Sequence, residues 1–294
     1  GIRDCLLSRG LGDVYKRQEC HSMYRVDGPL TQRSLGETEF VRGQAAISAS
    51  GDFGAARACD VMFGNVDLTL GSAVEPILEQ HIEASGGRFR GVRISSGWHS
   101  HEGIHNVGDR ESLLLEASVN EAVNVVHRMN LSLDVWLYHT QLEEVAQLAD
   151  NHPDLTIVLN HVGSPILGGP YRGKNDEVFA HWKAALLPVS ERHNVFVKLG
   201  AMPIRMPSYE GDRTLPPSSQ EVAQAWRPWM ETCIDAFGPA RSMYESNFPV
   251  QKRWCSYQVC WNAFKRISAG ASAGEKTELF AAAAARAYRM ESAL

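Results

Sequence analysis

At seven places in the chain a polar or ionisable group stands at or just past the end of an apolar run: Glu19-Cys20-His21, Arg93, Trp98-His99, Tyr138-His139, Asn160-His161, Lys198 and Glu245-Ser246-Asn247. Together they supply imidazoles, a guanidinium, an amine and a carboxylate, the groups that hold an anionic substrate, bind a metal and move protons. His161 is the foremost candidate, because it closes the aliphatic run Leu155-Thr-Ile-Val-Leu159 and is followed by the turn-forming Gly163. His139 holds the same place on the preceding run. Two imidazoles with a carboxylate make a plausible zinc or manganese set, so His139 and His161 are the candidate metal ligands. The competing reading of His139 is a cap or loop residue before Gln141. Glu245 serves as general base or metal ligand. Asn247 cannot take a proton but can hydrogen-bond a substrate carbonyl or carboxylate. Arg93 suits a substrate carboxylate through a bidentate fork, with Tyr138 and Trp98 as further substrate-binding candidates. Lys198 has two readings: partner of an anion or metal carboxylate, or Schiff-base nucleophile if desolvation lowers its pKa. His99, His101 and His105 read as a solvated loop.

The elements that would carry these groups alternate. Apolar spacing predicts helices over 70–84, 116–129, 141–151 and 179–193, a long helix from Ser218 and Ser219 to Phe237, and an alanine-rich helical tail over 257–268 and 274–288. Between them lie strands at 89–94, 131–137, 154–159, 194–199 and from 241 onward. Leu155–Leu159 has no polar alternation, the mark of a strand buried on both faces. Polar Ser100–Arg110 is long enough for an active-site loop, and Pro203, Pro207, Pro216 and Pro217 mark a second loop. Strand–helix alternation without an all-β or all-α block implies α/β architecture with a parallel sheet. No Gly-x-Gly-x-x-Gly follows a strand, which leaves a dinucleotide fold without support. The eight-unit (β/α)8 TIM barrel, typically about 250 residues, is the expected fold.

Composition sets the bounds. With 294 residues, 44% hydrophobic and 21% charged, the chain reads as an ordinary globular protein. A formal charge of -5 offers no field for nucleic acid. No apolar run approaches the roughly 20 residues that span a bilayer. The six cysteines show no CxxC spacing and read as reduced thiols in a cytoplasmic protein. The implied partner is a small-molecule substrate, with self-association into a homo-oligomer left open. Residues 1–18 have no clear period and resemble a translated sequencing-adapter remnant; the alternative is a natural flexible arm. The expected division is therefore a non-native leader, 1–18, and a barrel domain, 19–294, that starts inside a strand.

Leu155–Gly163, Val195-Phe-Val-Lys-Leu-Gly200 and Met243-Tyr-Glu-Ser-Asn-Phe-Pro249 resemble the later strands of the amidohydrolase-related TIM-barrel hydrolases. The chain is most similar to the branch containing 2-pyrone-4,6-dicarboxylate lactonase, and Tyr138-His-Thr-Gln-Leu142 and Trp261-Asn-Ala-Phe-Lys-Arg266 fit that picture. The resemblance implies a hydrolase acting on a lactone, ester or amide, with some relatives being decarboxylases and a divalent metal as cofactor. It matches His161 to the family's strand-six histidine. Two departures stand out. The family's first strand carries His-x-His, which is absent where that strand should be, although His99-Ser-His101 has the spacing after a mid-chain strand. Asn247 stands where the family has Asp before Trp/Phe-Pro. The expectation is thus a barrel lacking its first strand, with water attack on a carbonyl as the reaction. A Schiff-base or decarboxylating lyase, or an inactive fragment, are the alternatives.

Overall fold

The computed structural model describes residues 16–18, 20–52, 54, 57–202 and 215–290. Among the described residues seven parallel strands form one sheet in strict sequence order: β1 Lys16–Arg17, β2 Val61–Gly64, β3 Phe89–Ser95, β4 Ser132–Trp136, β5 Ile157–Leu159, β6 Val195–Leu199 and β7 Ser242–Tyr244. Among the described residues no ladder joins β7 to β1. The architecture is α/β, a parallel sheet curled as part of a (β/α) barrel, in line with the expected fold. Lys16–Arg17, expected to stand outside the fold, pair in parallel with Val61–Met62. Residues 1–15, Glu19, Pro203 and Pro207 lie outside the described residues.

Among the described residues the α-helices are α1 Leu35–Ala49, α2 Glu75–Ala84, α3 Ala117–Arg128, α4 Leu142–Asn151, α5 Asn175–Ser190, α6 Ser219–Phe237, α7 Tyr257–Ile267, α8 Ala273–Thr277 and α9 Ala283–Tyr288, and those from α2 on follow the expected spacing. Ser218 caps α6 as predicted: its hydroxyl accepts from Glu221 N at 3.3 Å, and the Glu221 carboxylate accepts from Ser218 N at 2.7 Å. The helix at α1 was not anticipated. Its inward face carries Glu37 and Thr38 beside Leu35 and Val41, a mixed pattern that hides the apolar stripe.

Strand parity separates two apolar layers. Leu133, Val135, Leu159, Val197 and Leu199 face the helices and pack with residues such as Trp182 and Trp226. On the other face, Val61, Phe63, Val158 and Met243 meet the alanines of α9 and Tyr288. The C-terminal helix therefore plugs the barrel interior. Ser132 Oγ donates to Ala287 O at 2.9 Å, and the Tyr288 ring meets Phe63 edge-on at 5.0 Å. An alanine helix suits this place because its narrow cylinder lets the strand side chains close around it.

His81 ties α2 to α1 from a fully buried position: its Nδ1 lies 2.8 Å from Thr38 Oγ1 and its Nε2 3.2 Å from Ser34 Oγ. Burial, with a smaller contribution from Arg25, pushes its pKa from 6.5 down to about 4. The folded state thus favours the neutral ring, and the unfolded chain binds the extra proton as pH falls through this window. The associated stability is present above pH 6.5 and is lost toward pH 4, up to about 3 kcal/mol at 1.36 kcal/mol per unit. Chemical denaturation at pH 7 and pH 4.5 is expected to show this loss, and His81→Gln to flatten it.

Candidate active site

The site lies at the C-terminal ends of the strands, where successive βα loops meet. His161 follows β5 after one residue, Asn160. It has a φ of 58° and Val162 a φ of 50°, a left-handed pair that a β-branched residue adopts only under restraint. The restraint is visible: Val162 is fully buried, and its carbonyl accepts from Trp182 Nε1 at 2.7 Å. Gly163 completes the turn at φ 72°, where a Cβ would come within 2.8 Å of Leu142 Cδ2. The turn aims His161 into a cavity of about 460 Å³, shared with Arg93, Ser95, Trp136, Tyr138 and Asn247.

Beneath the cavity is a chain of buried ionisable groups. His161 Nδ1 is hydrogen-bonded to Glu245 Oε1, and the two side chains are 11% and 12% exposed. The other carboxylate oxygen of Glu245 lies 3.6 Å from Lys198 Nζ. The ammonium donates to Asp134 Oδ2 at 2.5 Å, to Gln18 Oε1 at 3.2 Å and to Asn160 Oδ1 at 3.3 Å. Asp134 also accepts from Tyr288 Oη at 3.4 Å. Glu245 reaches this position because residue 200 is glycine: a Cβ there would lie 2.2 Å from Glu245 O and 2.7 Å from its Cγ. Burial pulls the Lys198 pKa down, but the charges of Asp134 and Glu245 outweigh it and hold the amine above 10.5.

Each expected site residue now has a place. His161, Arg93, Tyr138 and Asn247 come together around the cavity, and Glu245 supports them from below. Lys198 is a buried, protonated member of an ion cluster, so it does not fit the Schiff-base nucleophile reading. Trp98 does not line the cavity. Its backbone N–H donates to Gln141 Oε1 at 2.8 Å, and it borders a hollow of the 98–106 loop. His139 does not join His161: it is 1% exposed, accepts from Ile166 N at 3.3 Å, and meets Tyr171 and His181 edge-on at 5.4 and 5.6 Å. Burial first, then His181 and His99, push its pKa down to about 4. His99, His101 and His105 lie on a loop with His101 and His105 exposed, while His99 is half-buried with its Nε2 3.0 Å from Tyr171 Oη. Among the described strands, the one that leads to His161 is fifth in the sheet.

Three participants were missed: Asp134, Trp136 and Gln141. The first two were readable from Leu131-Ser-Leu-Asp-Val-Trp-Leu137, whose period-two alternation sends Ser132, Asp134 and Trp136 to one face. Register places Trp136 beside Ser95 and Asp134 beside Arg93. Gln141 bonds the β3 and β4 loops together, donating to Ser96 O at 3.0 Å while receiving Trp98 N.

The expected metal set does not form. Asp134 and Glu245 share the Lys198 ammonium, so a cation of the protein already stands between the two carboxylates. Among the described residues no three His, Cys, Asp or Glu side chains converge as a metal would require. These residues do not fit a protein-held zinc or manganese.

A parallel (β/α) barrel with a polar cluster on its C-terminal rim defines an enzyme-type scaffold. Its lineage follows from comparison: the amidohydrolase family profile matches residues 52–290, and the chain belongs to that family. It is 31% identical over 217 residues to the uncharacterised protein y4mH of Sinorhizobium fredii, covering 74% of this chain and 66% of that protein. It is 26% identical over 203 residues to L-fucono-1,5-lactonase of Burkholderia multivorans, covering 69% and 65%. The chain thus spans just under two thirds of the length of these curated relatives. An amidohydrolase crystal structure from Burkholderia multivorans with bound zinc has the same fold, with a TM-score of 0.67 at 24% identity, covering 86% of this chain and 78% of that one.

Removing the ammonium leaves two carboxylates buried together. Lys198→Met is expected to destabilise the fold by about 3–5 kcal/mol in urea denaturation, the range for breaking a buried pair. Asp134→Leu combined with Lys198→Met should recover most of that loss, because it removes an acid along with the base.

Proposed function

We propose that the chain is a hydrolase that opens a small carboxylated lactone by adding water to its carbonyl, with esters and amides as the wider class of the same chemistry. The observation that carries this reading is the His161–Glu245 pair on the wall of a cavity that also holds Arg93. With Nδ1 engaged by Glu245, Nε2 is the imidazole nitrogen left to meet a bound molecule. A neutral His161 takes a proton from water at Nε2 while the water oxygen bonds to the carbonyl carbon. Collapse of the tetrahedral intermediate breaks the ring C–O bond, and the imidazolium returns its proton to the departing alkoxide, giving a hydroxy acid. The Asn247 amide donates to the carbonyl oxygen as negative charge develops there. Arg93 takes the substrate carboxylate, and Trp136 and Tyr138 form an aromatic wall. The lactonase relative supports the bond type. The cavity volume lies within the usual small-molecule range of about 300–1,000 Å³.

A panel of lactones with and without a ring carboxylate tests the reading by hydroxy-acid release. Carboxylated lactones should give the higher kcat/KM. His161→Ala should lower kcat by about 1,000-fold, within the range for loss of a general base; wild-type kcat in that variant would sink the assignment. Arg93→Ala should raise KM for carboxylated lactones and leave KM for neutral ones nearly unchanged.

A further inference from the structure

We propose that Asp134 and Lys198 are positioning residues for His161, acting through Glu245 to hold the imidazole in the tautomer that carries its proton on Nδ1. Neither side chain lines the cavity, so neither meets a substrate. Both belong to one continuous path to the residue that does. Asp134, fully buried on β4, fixes the Lys198 ammonium of β6. Lys198 faces one oxygen of Glu245, and the other oxygen holds His161 Nδ1. A carboxylate that accepts only from Nδ1 forces the proton of a neutral ring onto that nitrogen and leaves Nε2 with its lone pair. The path is built in depth. Asn160 and Gln18 accept further bonds from the ammonium, Tyr288 donates to Asp134, and Gly200 makes room for Glu245.

Splitting one ammonium between two carboxylates is the working feature. Without the Asp134 charge, the Lys198 ammonium has Glu245 as its remaining close carboxylate. Glu245 then turns toward the ammonium and relaxes its hold on Nδ1. The effect on turnover rests on the proposed role of His161 as proton acceptor; the effect on the tautomer does not.

The test uses the whole chain with histidines labelled with ¹⁵N in both ring positions, at pH 8, with the His161 signals assigned from a His161→Gln control. Wild-type protein should show His161 as the Nδ1–H tautomer. Asp134→Asn should shift the population toward Nε2–H and lower kcat by about 10- to 100-fold with KM held, the scale of losing an outer-shell partner. If Asp134→Asn does not fold, Asp134→Ser also removes the charge, keeps a polar group there and leaves the Lys198 ammonium in place, and is expected to give the same two changes. Tyr288→Phe should produce a smaller shift in the same direction. An unchanged Nδ1–H population in the folded variants overturns the proposal, and so does a changed tautomer with undiminished kcat. If no lactone is turned over even by wild type, the proposed function fails, and the tautomer measurement still decides the positioning role.

Discussion

Everything at the rim of this barrel depends on one ammonium held away from water. Lys198 is 3% exposed, and an isolated charge at that depth would be untenable. It persists because β4 supplies Asp134, Asn160 follows β5, and Glu245 follows β7, all within reach of a lysine on β6. The requirement works in both directions. The strands must curl and keep register for these groups to meet, and their meeting leaves little room for another register. A one-residue slip of β4 would send Asp134 outward among the helices and put Leu133 or Val135 against the ammonium. The ion cluster is therefore a specification of strand alignment as much as a support for chemistry.

The second constraint is local. Two consecutive left-handed residues, one of them a valine, are an expensive way to end a strand. Here the turn is secured by Trp182 from α5, by the close packing of Gly163 on Leu142, and by the buried valine itself. The helical layer thus does more than cover the sheet: it fixes the direction in which an imidazole leaves β5.

Much of the architecture was legible in the sequence because fully buried parallel strands read as uninterrupted aliphatic runs. Helices such as α3, α4 and α7 carry clear apolar stripes. Helix α1 escaped because its buried face mixes Glu37 and Thr38 with Leu35 and Val41. Among the site residues, His161, Arg93, Tyr138 and Asn247 were recognisable from their place at strand ends. Asp134 and Trp136 were equally visible in principle, since strict alternation across 131–137 assigns them to one face. A strand judged only by its last residue conceals what lies two and four positions earlier. The partners of Lys198 and His139 could not be read at all. Whether a buried lysine faces two acids, and whether a histidine faces the cavity or an aromatic cluster, depends on strand curvature and loop paths that a single sequence does not encode visibly. The family resemblance explained the lineage, while the metal pair expected of His139 and His161 from their strand-end places does not form, since one ring faces Tyr171 and His181 and the other Glu245.

The plug formed by α9 has a bearing on how the molecule is made. Ala283–Tyr288 come later in the chain than every strand, yet they fill the space those strands enclose. During synthesis on the ribosome all seven strands emerge before the piece that completes their interior. Until it arrives, Phe63, Val158 and Met243 lack their packing partners, and Asp134 lacks the Tyr288 hydroxyl. A chain cut short before Ala283 would leave these inward strand faces without the apolar cover that α9 gives them.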